Sequence, residues 1–192
     1  MAAASKILCL CSCDYDLISE YKTDVDNRLP RLVQCSNKAP RLFVFYGHGT
    51  DSEMIGQDRK PIIDLDNAHL LKGWVVYAMA CNTVNILGPA IIEAGGVAYI
   101  GFSEHFKFIP YTHEVFGKCV NNVIEEILNG ISLSDAIKSA RDRFDYYIEE
   151  YKERCSKTDD PQLKSIFEKT FKLLTHDKSA LTLLGDTGVI LK

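Results

Sequence analysis

The sequence predicts an α/β fold: a three-layer α/β/α sandwich with a mostly parallel central sheet and a helix-rich C-terminal part, forming one domain over residues 1–192. Three observations predict it. Apolar, β-branched or aromatic runs alternate with helical segments through about the first hundred residues, the order of a sheet wrapped by helices. Two of those runs, LFVFY and WVVYAMA, are continuously hydrophobic, as strands covered on both faces are. The residues after Pro110 read as successive helices.

Lys6–Ser12 is the first strand. Its apolar run, Ile7 to Cys11, is shorter than the roughly 7–15 residues of a signal h-region and is followed by Asp14 and Asp16, so it reads as a strand and not as a leader. Residues 14–40 carry little pattern. Leu42–Tyr46 is the second strand, and EMIGQDRKPII, with turn residues in its middle, is a small hairpin. Asp64–Lys72 has acidic start signals and a stop at Gly73, which predicts a helix. Trp74–Ala80 is the third strand. A helix over Val84–Ala94, ended by Gly95-Gly96, and a fourth strand, Val97–Phe102, follow.

Pro110 opens the next helix, with Val120, Val123, Ile124, Ile127 and Leu128 as its buried stripe and Gly130 as its stop. Ser132 caps a long helix that turns Ile137, Ala140, Phe144, Tyr147, Ile148 and Tyr151 inward and leaves the charges of Arg141–Arg154 in water. Asp160-Pro161 starts the last helix, expected to run to about Leu174, and LTLLGDTGVIL is a final short strand and turn.

Composition narrows the function classes. The net charge is −4 and no Lys/Arg block stands out, which argues against a nucleic-acid partner. No apolar run reaches the ~20 residues of a membrane span. Seven scattered cysteines (Cys9, Cys11, Cys13, Cys35, Cys81, Cys119 and Cys155) read as reduced thiols in a reducing compartment, hence a cytoplasmic location. Cys9, Cys11 and Cys13 share one sheet face by their period of two and read as core residues, since no second cluster supplies a zinc-like ligand set.

In open parallel sheets functional groups gather beyond the carboxyl ends of the strands. Leu42–Tyr46 ends in Gly47-His48-Gly49-Thr50-Asp51, and Trp74–Ala80 ends in Cys81-Asn82-Thr83. Consecutive strands of a right-handed crossover usually lie side by side, so an imidazole and a thiol would meet on one rim, as nucleophilic catalysis requires. Glycines flanking His48 let the chain turn sharply and leave N–H groups uncovered, one of which, with that of Cys81, would make an oxyanion hole. Cys81 precedes the helix expected near Val84, whose N-terminus would favour the thiolate. No G-x-G-x-x-G or P-loop follows a strand, and no Gly-x-Cys-x-Gly elbow surrounds Cys81.

The stretches FVFYGHGTDS and VVYAMACNTVNILGPAIIEAGGVAYIGF resemble the His and Cys blocks of caspase-like (clan CD) cysteine peptidases, most closely CHAT-domain and gingipain-like proteins. The likeness covers residues 41–105, and the tail Leu184-Gly185-Asp186 is similar to the Leu-x-Gly-Asp-Pro close of many such domains, with Thr187 where Pro is common. Caspases themselves carry Gln-Ala-Cys-x-Gly with the His about 50 residues upstream. Here the block is Met79-Ala80-Cys81-Asn82-Thr83 and the gap is 33 residues, so Asp specificity is not carried over.

The resemblance implies a cysteine endopeptidase in which Cys81 attacks a peptide carbonyl, His48 moves the protons, and the N–H groups of Gly49 and Cys81 hold the oxyanion. It implies no metal or organic cofactor, a protein or peptide substrate with limited targets, and an activating protein partner. Asp14 and Asp16, at the end of the first strand, would line an acidic pocket favouring Arg or Lys before the cut, or else start a turn or cap a helix. Glu104 and His105, after the fourth strand, are the alternative pocket residues. His69 reads as a surface or capping residue, and His113 as a rim residue with no ligand spacing. A catalytically silent caspase-like scaffold that binds partners is the competing reading.

Overall fold

The computed structural model describes residues 6–11, 14–18, 41–56 and 59–191, the first two stretches by backbone alone. The elements follow the order β1 (Lys6–Cys11), β2 (Asp14–Ile18), β3 (Arg41–Tyr46), β4 (His48–Gly49), β5 (Met54–Ile55), β6 (Pro61–Ile63), β7 (Trp74–Met79), α1 (Leu87–Glu93), β8 (Ala98–Phe102), α2 (His113–Leu128), α3 (Leu133–Lys157), α4 (Pro161–Ala180) and β9 (Leu181–Gly185). Short 3₁₀ turns occupy Ala68–Leu71 and Pro110–Thr112.

The chain is mixed α/β with a helix-rich C-terminal half. Among the described residues the main sheet has six strands in the order β2-β1-β3-β7-β8-β9, and β4, β5 and β6 form a separate small sheet. The central strands β3, β7 and β8 are parallel, with Tyr46 opposite Met79 and Tyr77 opposite Ile100. The outer pairings are antiparallel: β1 against β3, β2 against β1, and β9 against β8.

The apolar runs explain why the centre of the sheet is buried. Side chains alternate across a strand, so a continuous hydrophobic run supplies both faces at once. Leu42, Val44, Val75, Tyr77 and Ile100 face a core shared with α2, α3 and α4. Phe43, Phe45, Trp74, Val76 and Tyr99 face a second core with β6, the Ala68–Leu71 turn and α1. The Tyr77 hydroxyl donates to the Val120 carbonyl at 2.8 Å and fastens α2 to the sheet. Burial pushes that phenol far above its ordinary range, which keeps it a neutral donor.

Several local expectations are corrected. Asp64–Lys72 is not an α-helix: Asp64 Oδ1 accepts the N–H groups of Asp66 and Asn67, Asn67 Oδ1 accepts that of Asp64, and Asn67 Nδ2 donates to Ile62 O. Short polar side chains that satisfy nearby backbone groups compete with a helix. The helix expected from Val84 starts at Leu87. Leu128, expected to be buried, is exposed. The last helix runs on to Ala180, and residues 14–18 form a strand that the sequence pattern did not mark. The hairpin over residues 53–63 is present as β5 and β6, joined by β4. The proposed common face of Cys9, Cys11 and Cys13 lies outside the described side chains.

Candidate active site

The rim beyond the carboxyl ends of β3, β7 and β8 collects His48, Gly49, Cys81 and Glu104. β3 and β7 remain paired to their last residues, and the pairing continues as Gly47 N–H donates to the Met79 carbonyl at 3.1 Å. His48–Gly49 and Cys81 therefore leave the sheet side by side. The main chains touch: a Cβ placed on Gly49 would lie 2.6 Å from Thr83 Cγ2, 2.8 Å from the Cys81 carbonyl oxygen and 3.0 Å from Ala80 Cβ. A position this crowded admits glycine without displacement.

His48 is exposed, and Cys81 is half-buried with a free thiol. Among the described residues no hydrogen bond joins the two side chains. Asn82, immediately after the cysteine, has a left-handed backbone (φ 62°), a conformation asparagine tolerates better than most residues. It reverses the chain just past the thiol.

The β4–β5 hairpin leaves one backbone donor outside its own ladder. Thr50 N–H donates to the Glu53 carbonyl at 3.0 Å, closing the turn with a hydrogen-bonded pair. Antiparallel ladders alternate, so the next pair, Gly49 and Met54, is non-hydrogen-bonded, and the Gly49 N–H faces away from β5.

The expected contribution of a helix N-terminus to Cys81 is corrected. α1 begins six residues further on, and the N–H groups of Ile86 and Leu87 both donate to the Asp51 main-chain carbonyl, at 3.2 and 2.8 Å. Those donors are occupied by the hairpin and do not point at the thiol.

Glu104 reaches the rim through its backbone: its carbonyl accepts the Asn82 N–H at 3.4 Å, a long bond that sets the exposed Glu104 next to the cysteine turn. The segment after β8 is in turn latched to the end of α4. Ser103 N–H and Oγ donate to the Ala180 carbonyl, His176 Nε2 lies 2.9 Å from the His105 carbonyl, and Lys107 N–H donates to Asp177 Oδ1 at 3.0 Å. Asp177 is fully buried with Oδ2 unpartnered, and burial pushes its carboxyl up to about 8.

Asp14 and Asp16 are not part of this rim. β1 runs opposite to β3, with Leu10 facing Leu42, so its carboxyl end lies at the other end of the sheet. Asp14 pairs with Cys11 at that far end, and Asp16 pairs with Cys9, level with Phe43 in mid-sheet. Both belong to a strand and not to the turn or cap weighed from the sequence. His69 is exposed with Nδ1 3.1 Å from the Asp66 carbonyl, and the exposed His113 has Nδ1 2.7 Å from the Pro110 carbonyl. Among the described residues no group of three His, Cys, Asp or Glu side chains is placed to hold a metal ion, and no helix is long and apolar enough to cross a membrane.

Sequence reasoning gave no role to Asp51, Asn82, Asn85 and Ser103, which organise the rim. The available signal was the pair of asparagines flanking Thr83-Val84, since asparagine both accepts a left-handed backbone and bonds neighbouring loops. Set against known proteins, the chain matches no family model, no curated protein and no solved structure.

Proposed function

We propose that this chain is a cysteine endopeptidase on a caspase-like three-layer α/β/α sandwich, with Cys81 as nucleophile and His48 as proton-transfer group. The observation that carries the reading is the close packing of Gly49 against the Cys81 carbonyl, which sets the segment of the exposed His48 beside the turn of the half-buried free thiol Cys81, 33 residues apart in sequence. Two buried cores, one on each face of the sheet, support the layered architecture.

In the proposed reaction His48 takes the proton of the Cys81 thiol as the sulfur attacks the scissile carbonyl carbon. The oxyanion is received by the N–H of Cys81 and the outward-facing N–H of Gly49. His48 gives its proton to the departing amine as the C–N bond breaks, leaving a thioester. It then takes a proton from water, which hydrolyses the thioester and returns the free thiol. With Asp14 and Asp16 at or toward the other end of the sheet, the acidic group that would favour Arg or Lys before the cut is Glu104. The substrate is a protein or peptide, and no metal or cofactor takes part in these steps.

A second reading, a catalytically silent scaffold, is favoured by the absence of an imidazole–thiol hydrogen bond among the described residues. Such bonds are often long in unliganded enzymes and tighten with substrate. A positional peptide library run on wild type, Cys81→Ala and His48→Ala separates the two. Cleavage should fall by at least about 1,000-fold in either variant. Cleavage that survives Cys81→Ala, or a wild type inert to the library and to thiol-reactive peptidyl probes, ends the peptidase reading.

A further inference from the structure

Asn85 touches neither proposed catalytic group by hydrogen bond, yet it lies where the three loops of the rim converge. Its Nδ2 donates to Asp51 Oδ1 at 3.0 Å and to the Ser103 carbonyl at 3.2 Å, across 34 and 18 residues of sequence. Its own N–H donates to the Asn82 carbonyl at 3.0 Å. Asp51 is in the turn of the hairpin that carries His48 and Gly49, Asn82 follows Cys81, and Ser103 precedes Glu104. One residue thus ties the imidazole segment and the acidic lip together by its side-chain amide, and both to the thiol segment by its main chain.

We infer that Asn85 is a positioning residue that sets the His48 hairpin and the Glu104 lip against Cys81, an inference that rests on the peptidase reading. The chemistry of the junction selects this side chain. Both partners are pure acceptors, a carboxylate and a backbone carbonyl, so the group between them must supply two donors and carry no negative charge. An amide NH₂ does so. A carboxylate at position 85 would face Asp51 with like charge, and a methyl group would leave the junction open.

Asn85 is exposed, so its bonds are made in water and carry little of the stability of the fold. The main-chain part of the junction, in which the Asp51 carbonyl caps Ile86 and Leu87, does not depend on either side chain. Geometry is therefore the property most sensitive to residue 85. A displacement of about 1 Å between reacting groups costs about 100-fold in rate.

The test uses the full chain and two readouts: peptide cleavage (kcat and KM), and the pH profile of Cys81 alkylation by iodoacetamide, which needs no peptide substrate. Wild type and His48→Ala are compared first, and a Cys81 alkylation profile dependent on His48 establishes the pair. Asn85→Ala should then lower kcat about 10-fold to 100-fold with KM changed less than about 3-fold, shift the alkylation profile toward that of His48→Ala, and leave Tm within about 3 °C. Asn85→Asp should be worse. Combining Asn85→Asp with Asp51→Asn reverses the donor and acceptor of one link, and should recover at least about 5-fold of the loss.

Wild-type kcat and alkylation profile in Asn85→Ala would overturn the positioning role while leaving the peptidase reading intact. A loss of kcat matched by loss of fold, with no recovery in the double variant, would overturn it as well. A wild type whose Cys81 alkylation ignores His48 and which cleaves no peptide would overturn both.

Discussion

Gly49 shows how one hydrogen atom in place of a side chain sets the spacing of the proposed site. The three atoms around its missing Cβ are two from the cysteine turn's main chain and Ala80 and one from a fully buried threonine, Thr83. None is the free end of a flexible chain, so Gly49→Ala must push the hairpin away from Cys81. The expected outcome is a fall in kcat of about 100-fold with the circular-dichroism spectrum retained, measured on the best library peptide. An Ala variant of full activity would show that the hairpin and the thiol need not be in register. The rule that functional groups gather beyond the carboxyl ends of parallel strands singled out this His-Gly and Ala-Cys pair from the sequence. Crowding at Gly49 was not legible, because it arises from Thr83 and Ala80, more than thirty residues away along the chain.

At the scale of elements, the attachment of α4 to the segment after β8 has a titrating component. Asp177 contributes one acceptor to Lys107 N–H and keeps a second oxygen buried without a partner. The groups around it are Lys107 from the loop, Cys119 from α2, whose thiol burial pushes up to about 12, and, flanking it on α4, His176 and Lys178. An acid whose carboxyl moves from 3.8 in the unfolded chain to about 8 in the folded one binds more protons when folded. Its contribution to stability is complete below about pH 4 and is lost as pH rises toward 8. Wild type should therefore lose more stability than Asp177→Asn between pH 5 and 8, by up to about 1.4 kcal/mol per pH unit in urea titrations. Parallel pH curves for the two proteins would remove this role.

Element signals in the sequence were strongest where a single residue settles an end. Ser132 accepts the Asp135 N–H, and Asp160 accepts those of Gln162 and Leu163, as their positions before the helices suggested. They were weakest where two local structures compete. The acidic residues of DLDN resemble helix-start signals, but in the folded chain they bond their own neighbours. Val84 to Ile86 look helical by hydrophobicity, and the Asp51 carbonyl, contributed by a distant turn, fixes where α1 begins.

Strand direction belongs to the whole molecule, and it was the feature least legible in the sequence. Lys6–Cys11 carries no mark in its own residues of which way it runs against Arg41–Tyr46. The consequence for specificity is concrete. Glu104 shares the rim with Cys81, whereas Asp14 lies at the opposite end of the sheet. Glu104→Gln should reduce cleavage after Arg or Lys by about 10-fold, and Asp14→Asn should leave the library profile unchanged. The reverse pattern would mean that the pocket is built from other parts of the chain.

The main sheet also decides which parts of the chain are dispensable. Every residue proposed to act on substrate precedes Phe106, but one face of the strands that carry them is sealed by helices that follow Pro110. The final strand, Leu181–Gly185, closes the edge beside β8, where Gly185 (φ 84°) turns away so tightly that a Cβ would lie 2.5 Å from the Val97 carbonyl. The proposed catalytic residues and the elements that pack beneath them are thus interleaved along the polypeptide, and synthesis must pass Gly185 before the sheet that carries His48 and Cys81 is closed on this side.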